Sequence, residues 1–439
     1  MDELGILAGF AADLRLESVP GRVLDQAKRV LLDTVGAALG GSGEPELRVL
    51  QAELATGGPA TVIGSAARAN VPVAALLNAM AACWYELDEG NRFAKGHPGI
   101  HVVPVVLAMG EERDCSGAAA LEALIAGYEV ASRVGRAGQL RPELHPHGTW
   151  GALGAAVAAA KLSGADAATL ARAIEIAASI PIAPPTAAGL EGATVRNANA
   201  GVACQHGLLA VALARAGVTA PREATARCFG AILGVGWDAS ALTDALGERY
   251  ELETSYFKPY PACRHTHGAL DLLVALRARE PFEAAAVEAI EVATYGQAAV
   301  FTTPVAETPL AARFSTPTLL ALSLLGRDLR RIDGETLRDE TVRSLAGRIR
   351  LTVDPALDAR YPQLRPTRLT VRLRDGRTMT AEADAALGDP ECPLSDDDLD
   401  AKFLELASPL GEERARVALA ALRRVEAGRL REATEWLAP

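Results

Sequence analysis

Residues 258 to 267 read KPYPACRHTH, setting Lys258, Cys263, Arg264, His265 and His267 behind two prolines that hold the backbone extended. Two upstream stretches match it in kind, RFAKGHPGIH at 92 to 101 and HPHGTW at 145 to 150. Together they hold His97, His101, His145, His147, His265 and His267, six of the chain's seven histidines, with His206 between them. Imidazoles exchange protons near neutral pH with little tuning. Arg92, Lys95, Lys258 and Arg264 flank them, so the pattern predicts one anionic small molecule met by several loops at once.

The elements that must carry these loops read as helices first and strands later. Ser18 and Pro20 suit the cap and first turn of a helix from Val23 to Leu39, stopped by Gly40 and Gly41. Residues 70 to 85 are apolar on nearly every face and predict a buried helix that delivers Glu86, Asp88 and Glu89 at its C-terminal end. Carboxylates there oppose the helix dipole, so their placement asks for a reason beyond local stability. His97 and Pro98 sit where the next helix opens, and the unpaired N–H groups of a helix start make an anion site. Ser116 caps a helix through Val134, closed by Gly135 and Gly138, and another runs from about Ala165 to Ser179. Residues 191 to 215 read as a loop carrying Arg196, Asn197 and Asn199, then a buried helix.

Near residue 255 the texture changes to alternating stretches at 286–295, 348–353 and 368–384, with helical runs at 315–326 and 335–346 between them. The last stretch is a hairpin, and Asp375-Gly376 suits a two-residue primed turn. From Ser395 the chain is helical again. The expectation is a mainly α protein: a large all-helical domain from residues 1–254 with 395–439, and a smaller α+β lid domain at 255–394.

Composition narrows the partners. The 439 residues are 49% apolar and only 4% aromatic, so the core must be built from Ala, Leu and Val, which favours close-packed helices. A net charge of -11 argues against nucleic acid or an anionic membrane as a partner, and makes a local cationic pocket the more telling. Six scattered cysteines without a CxxC pair read as reduced thiols, and no signal peptide or apolar membrane span is evident, so a cytoplasmic protein is expected.

KPYPACRHTH, LDEGNRFAKGHPG, HPHGTWGALGAAVAAAKL, GATVRNANAG, ARFSTP and GDPECPLSDDDLDAKF stand in an order and spacing that resembles the MmgE/PrpD family, over essentially the whole chain. That family includes 2-methylcitrate dehydratases, cis-aconitate decarboxylases and iminodisuccinate epimerases. The resemblance implies an all-helical domain with an α+β lid, an active site between them, a homodimer, and no required metal or cofactor. It places His97, His145 and His267 at active-site histidines and Glu86 where the decarboxylases have an essential aspartate. Arg196 falls where those enzymes have a lysine, and Thr318, three positions past Ser315, where they have a tyrosine.

Such enzymes break a bond next to a carboxylate, by loss of water or carbon dioxide or by reprotonation on the other face. The expected function is therefore a lyase acting on a small or medium carboxylic acid. The alternatives are an epimerase using the same carbanion chemistry and a non-catalytic carboxylate binder. The developing charge needs fixed cations, for which Arg196, Lys258 and Arg264 are the candidates, with Arg92, Lys95, Ser315 and Thr318 as further contacts. His97, His145 and His267 would transfer protons, and Glu86 or Asp88 would orient an imidazole or act as base. The rival is a metal site, since HPGIH, HPH and HTH are ligand-like spacings; the dense cations and the absence of HExxH count against it. Cys263, His101 and His206 read as packing residues, and His147 and His265 as either second-layer or structural groups.

Overall fold

The computed structural model describes residues 2–439. Helices Gly21–Gly41, Val71–Ala82, Gly99–Glu112, Gly117–Ala137, Gly151–Leu162, Ala167–Ser179 and Val195–Arg215 pack into one helical body. With few aromatics to fill space, these helices approach closely through small residues. A Cβ on Gly127 would lie 2.7 Å from the Gly154 carbonyl oxygen of the neighbouring helix, so the contact is backbone against backbone.

The second part is built on a four-stranded sheet. Strand Val287–Thr294 pairs in parallel with Ile349–Val353 and antiparallel with Thr367–Leu373, and Thr378–Ala383 forms the outer edge. Helix His267–Arg279 packs on it, and Thr316–Leu324 packs against that helix within the same apolar core. The two parts have separate cores. One gathers side chains from Leu4 to Phe257 and again from Leu394 to Leu437; the other runs from Ala262 to Met379. The chain is thus mainly helical with a smaller α+β part.

The returning C-terminal segment is bolted to the body by more than apolar contact. Ser395 caps helix Asp396–Leu406 in a capping box with Asp398. From this helix Lys402 Nζ reaches Asp33 Oδ1 at 2.6 Å and the Leu87 carbonyl at 2.7 Å. Further on, the Thr434 hydroxyl donates to Glu111, a buried carboxylate that also accepts from the Thr61 hydroxyl at 2.7 Å.

Several local expectations shift. Pro20, not Ser18, stands at the cap of Gly21–Gly41, because Ser18 closes a short 3-10 turn of its own. Arg196 and Asn197 belong to the first turn of Val195–Arg215 rather than to a loop. The hairpin turn has three residues, Arg374 to Gly376, since the Leu373 amide bonds the Arg377 carbonyl and Gly376 takes φ +88°. Among the described residues no helix is long and apolar enough to cross a membrane.

The side chain of Phe403 is 1% exposed within the body core. Phe403→Ala should lower unfolding free energy by about 3–5 kcal/mol, measured by denaturant titration.

Candidate active site

The acidic turn is where the body first departs from regular structure. Helix Val71–Ala82 stops four residues before Glu86, which takes φ +56°, so Glu86, Asp88 and Glu89 lie beyond the helix end and not in its last turn. Glu89 then occupies the anion site expected at the next helix start. Its Oε1 accepts from the Gly99 amide at 2.5 Å and its Oε2 from the Tyr128 hydroxyl at 3.0 Å. Burial pushes its carboxyl up to about 8.

Glu86 and Asp88 join a buried cluster with Arg196 and Lys258. Glu86 Oε1 pairs with Arg196 Nη1, while Lys258 Nζ lies 3.6 Å from Glu86 Oε2 and 3.4 Å from Asp88 Oδ1. Burial would push the Asp88 carboxyl up, but its contact with His97 and the charge of Lys258 outweigh it and hold the group well below the usual carboxylate range. Burial works against the Lys258 ammonium as well; Asp88 and Glu86 outweigh it and hold that group charged.

Hydrogen bonding fixes the histidine tautomers. His97 Nδ1 lies 2.6 Å from the Glu89 carbonyl oxygen and 2.9 Å from Asp88 Oδ2. Both oxygens can only accept, and the Glu89 carbonyl takes the hydrogen bond, so Nδ1 carries the proton and Nε2 holds the lone pair of the neutral ring. His145 is the reverse: its Nδ1 accepts from the His147 amide at 3.1 Å, leaving Nε2–H as donor. Burial and the nearby Arg196 hold His145 neutral, well below its ordinary pKa. His147 stands between them, its ring edge-on to His97 at 4.8 Å and to His145 at 4.5 Å, with neither ring nitrogen bonded.

His101 ties the two histidine loops together. Its Nδ1 donates to the His97 carbonyl at 2.8 Å, and its Nε2 accepts from the Gly148 amide at 3.1 Å. Burial lowers its pKa to about 4, as suits a neutral strut. A Cβ at Gly151 would come within 2.3 Å of the His101 ring, which is why HPHGTWG carries glycine there.

A cavity of about 490 Å³ opens between the two parts of the chain, and Glu86, Lys95, His97, His145, Arg196 and Arg264 line it. Sequence reasoning had placed each of these at the site. Asp88 and Lys258 lie directly behind, bonded to the wall rather than forming it. Four expected contacts fall elsewhere. His267 is not in the wall: its Nε2 faces the Ala262 carbonyl at 3.2 Å and its Nδ1 the Arg264 guanidinium at 3.3 Å, so both nitrogens are taken. Arg92 turns away to pair with Glu391 at 2.5 Å. Ser315 caps helix Thr316–Leu324, and its hydroxyl bonds the Thr318 hydroxyl at 2.8 Å, so neither reaches the cavity.

The wall also holds residues the sequence reading passed over: Tyr256, Phe301, Phe314, Tyr361 and Arg365. Arg365 had only its place in YPQLRPT, a proline-flanked arginine ahead of a strand, to mark it. Cys263 lines the cavity too, but burial raises its thiol to about 11, so it stays protonated and is no nucleophile.

Sequence comparison agrees with this geometry. The MmgE/PrpD N-terminal domain matches residues 5–238 and the MmgE/PrpD C-terminal domain residues 260–426. The chain belongs to the MmgE/PrpD family. The cis-aconitate decarboxylase of Aspergillus terreus is 28% identical over 297 residues, covering 62% of this chain and 59% of that enzyme, so the match spans less than two thirds of the fungal protein. The cis-aconitate decarboxylases of Mus musculus and Homo sapiens are each 26% identical, over 92% and 90% of this chain and 86% of either enzyme. The family's C-terminal domain includes Leu399, Phe403 and Ala415, which here pack in the core of the N-terminal helices.

In this MmgE/PrpD chain Asp88, His97 and His147 each offer one ligand atom, all within 4.8 Å of one another. None of the ligand-like spacings in the sequence predicted that grouping. A carboxylate with two imidazoles suits a divalent ion, but fixed cations crowd the group: Lys258 sits 3.4 Å from Asp88, and the positive charge of Arg196 bears on His147. A dication there would meet two fixed cations.

Two outcomes are expected. Exhaustive treatment with a chelator should leave turnover unchanged, and recovery of activity only on adding back a divalent metal would show that the triad holds an ion. Glu89, buried at about 8 against 4.5 in the open chain, binds a proton on folding, and the stability tied to that proton is lost as pH rises between those values. The melting temperature of Glu89→Gln should therefore vary less with pH than that of wild type between 4.5 and about 8.

Proposed function

We propose that the protein is a lyase that acts beside a substrate carboxylate with no cofactor, using His97 as base and His145 as proton donor. The observation that carries this reading is the opposed tautomers: a free lone pair on one imidazole and a polar hydrogen on the other, on the wall of one cavity. Asp88 stabilises the imidazolium that forms when His97 takes a proton, and stays ionised because Lys258 pairs with it. Arg196, on the cavity wall with Lys258 behind it, sets positive charge near the carbon where the carbanion would form.

In a dehydration, Nε2 of His97 removes the proton next to the carboxylate, the electron pair forms the new double bond, and His145 Nε2–H protonates the departing hydroxide to water. In a decarboxylation, the carbon–carbon bond to the carboxylate breaks, carbon dioxide leaves, and the remaining pair takes a proton from an imidazole that solvent later restores. The decarboxylase relatives favour the second route.

His97→Ala and His145→Ala should each reduce turnover by about 100-fold to 10,000-fold with the melt nearly unchanged. In deuterated water, decarboxylation should leave deuterium on the carbon that lost carbon dioxide, and reversible proton removal ahead of dehydration should wash deuterium into recovered substrate at the carbon beside the carboxylate. Recovered substrate with inverted configuration and deuterium at that carbon would identify an epimerase, and no exchange at all would leave only a carboxylate binder.

A further inference from the structure

The buried charges do not balance. Glu86 and Asp88 face Arg196 and Lys258, two anions with two cations, and that cluster is neutral. On the other side of the cavity Arg92 is matched by Glu391 at 2.5 Å. Arg264 and Arg365 then share one carboxylate, Asp389, at 3.0 and 3.6 Å, and Arg92 also lies 3.7 Å from it. Asp389 and Glu391 are the only carboxylates within 4.0 Å of these three guanidinium groups among the described residues. One positive charge is left over.

Arg264 is not the spare one, because it donates to the Leu387 and Ala386 carbonyls at 2.8 and 2.9 Å besides its Asp389 pair. Arg365 is. Only 6% exposed, it lines the cavity with Nε and Nη1 bonded to nothing among the described residues. An arginine buried with its fork open is costly unless an anion completes it. Its guanidinium lies over the Tyr256 ring at 4.6 Å, and the same ring stands edge-on to His97 at 6.2 Å, so an anion held there is one aromatic ring from the base.

Much of the remaining wall is apolar, formed by Leu140, Leu144, Leu190, Val235, Phe301 and Phe314, with Gln139, Thr186, Gln297 and Tyr361 among them. A tricarboxylate would have to place its second and third charges against these side chains or against cations already matched. Lys95 and Arg141 are further cations without a carboxylate partner among the described residues, but both are solvent-exposed at the rim, where Arg141 already donates to the Ile232 and Ala231 carbonyls, and they add little to a buried anion.

Resting on the dehydration route, in which the substrate keeps its carboxylate, we propose that the substrate is an amphiphilic acid with a single buried carboxylate held by Arg365 and an apolar body against the Leu140–Phe314 side of the cavity. Arg365 is then a specificity-determining residue of this site.

Binding to unmodified protein, read by calorimetry without turnover, tests this apart from the catalytic reading. Hydrocinnamate, an apolar monocarboxylate, should bind more tightly than tricarballylate, and Arg365→Gln should weaken it by about tenfold or more, the worth of a charge-assisted carboxylate contact. Arg365→Lys, keeping charge but losing the fork, should fall between. Because Arg264 still pairs with Asp389 at 3.0 Å once Arg365 is replaced, Arg365→Gln should melt at or above the wild-type temperature; a marked fall would show that Arg365 serves the fold instead. Tighter binding of tricarballylate, no binding of either acid, or indifference to Arg365→Gln would each overturn the proposal. Deuterium exchange lost while hydrocinnamate still binds through Arg365 would instead count against the lyase reading alone.

Discussion

Four charges buried together hold the site in place. Glu86, Asp88, Arg196 and Lys258 are each at most 1% exposed, and in so dry a setting none is tolerable without the others. They come from the turn after one helix, the first turn of a second, and the extended segment that opens KPYPACRHTH. Neutralisation therefore fixes three distant stretches of chain relative to one another. Lys402 adds a fourth by holding the Leu87 carbonyl in the middle of the acidic turn. The histidines inherit their geometry from that cluster, since Asp88 meets His97 on one side and Lys258 on the other.

Hydrogen bonding divides the labour among imidazoles that composition alone cannot tell apart. His97 and His145 line one cavity with opposite nitrogens available, and His101, bonded at both ends, links the loops that carry them. Burial keeps His101 and His145 neutral, so the protein reads proton position through backbone carbonyls and amides rather than through net charge. Glycine at Gly151 makes the link possible, because any side chain there would displace the His101 ring.

Much of this was legible in the chain. Periodicity located the helices and the sheet strands, and the clustering of histidines with cations marked the loops that meet at the cavity. What could not be read was side-chain direction. His267 sits in the densest motif yet points into the protein, where Arg264 and the Ala262 carbonyl engage it. Arg92 looked like an anion ligand because of its neighbours, but its own anion, Glu391, comes from 299 residues away. Ser315 and Thr318 form an ordinary helix cap whose hydroxyls satisfy each other. Arg365 escaped for the opposite reason: nothing beside it in sequence shows that its partner Asp389 is already shared.

The return of helix Asp396–Leu406 to the first core has a consequence for biosynthesis. Phe403, Leu399 and Lys402 help complete a body whose long N-terminal helices end by residue 215, yet they leave the ribosome after the whole sheet-bearing segment. At usual elongation rates that interval is on the order of ten seconds. Throughout it the nascent helices display the apolar groove meant for Phe403, which makes them a natural client for a chaperone, and the acidic turn waits without the lysine that will pin it.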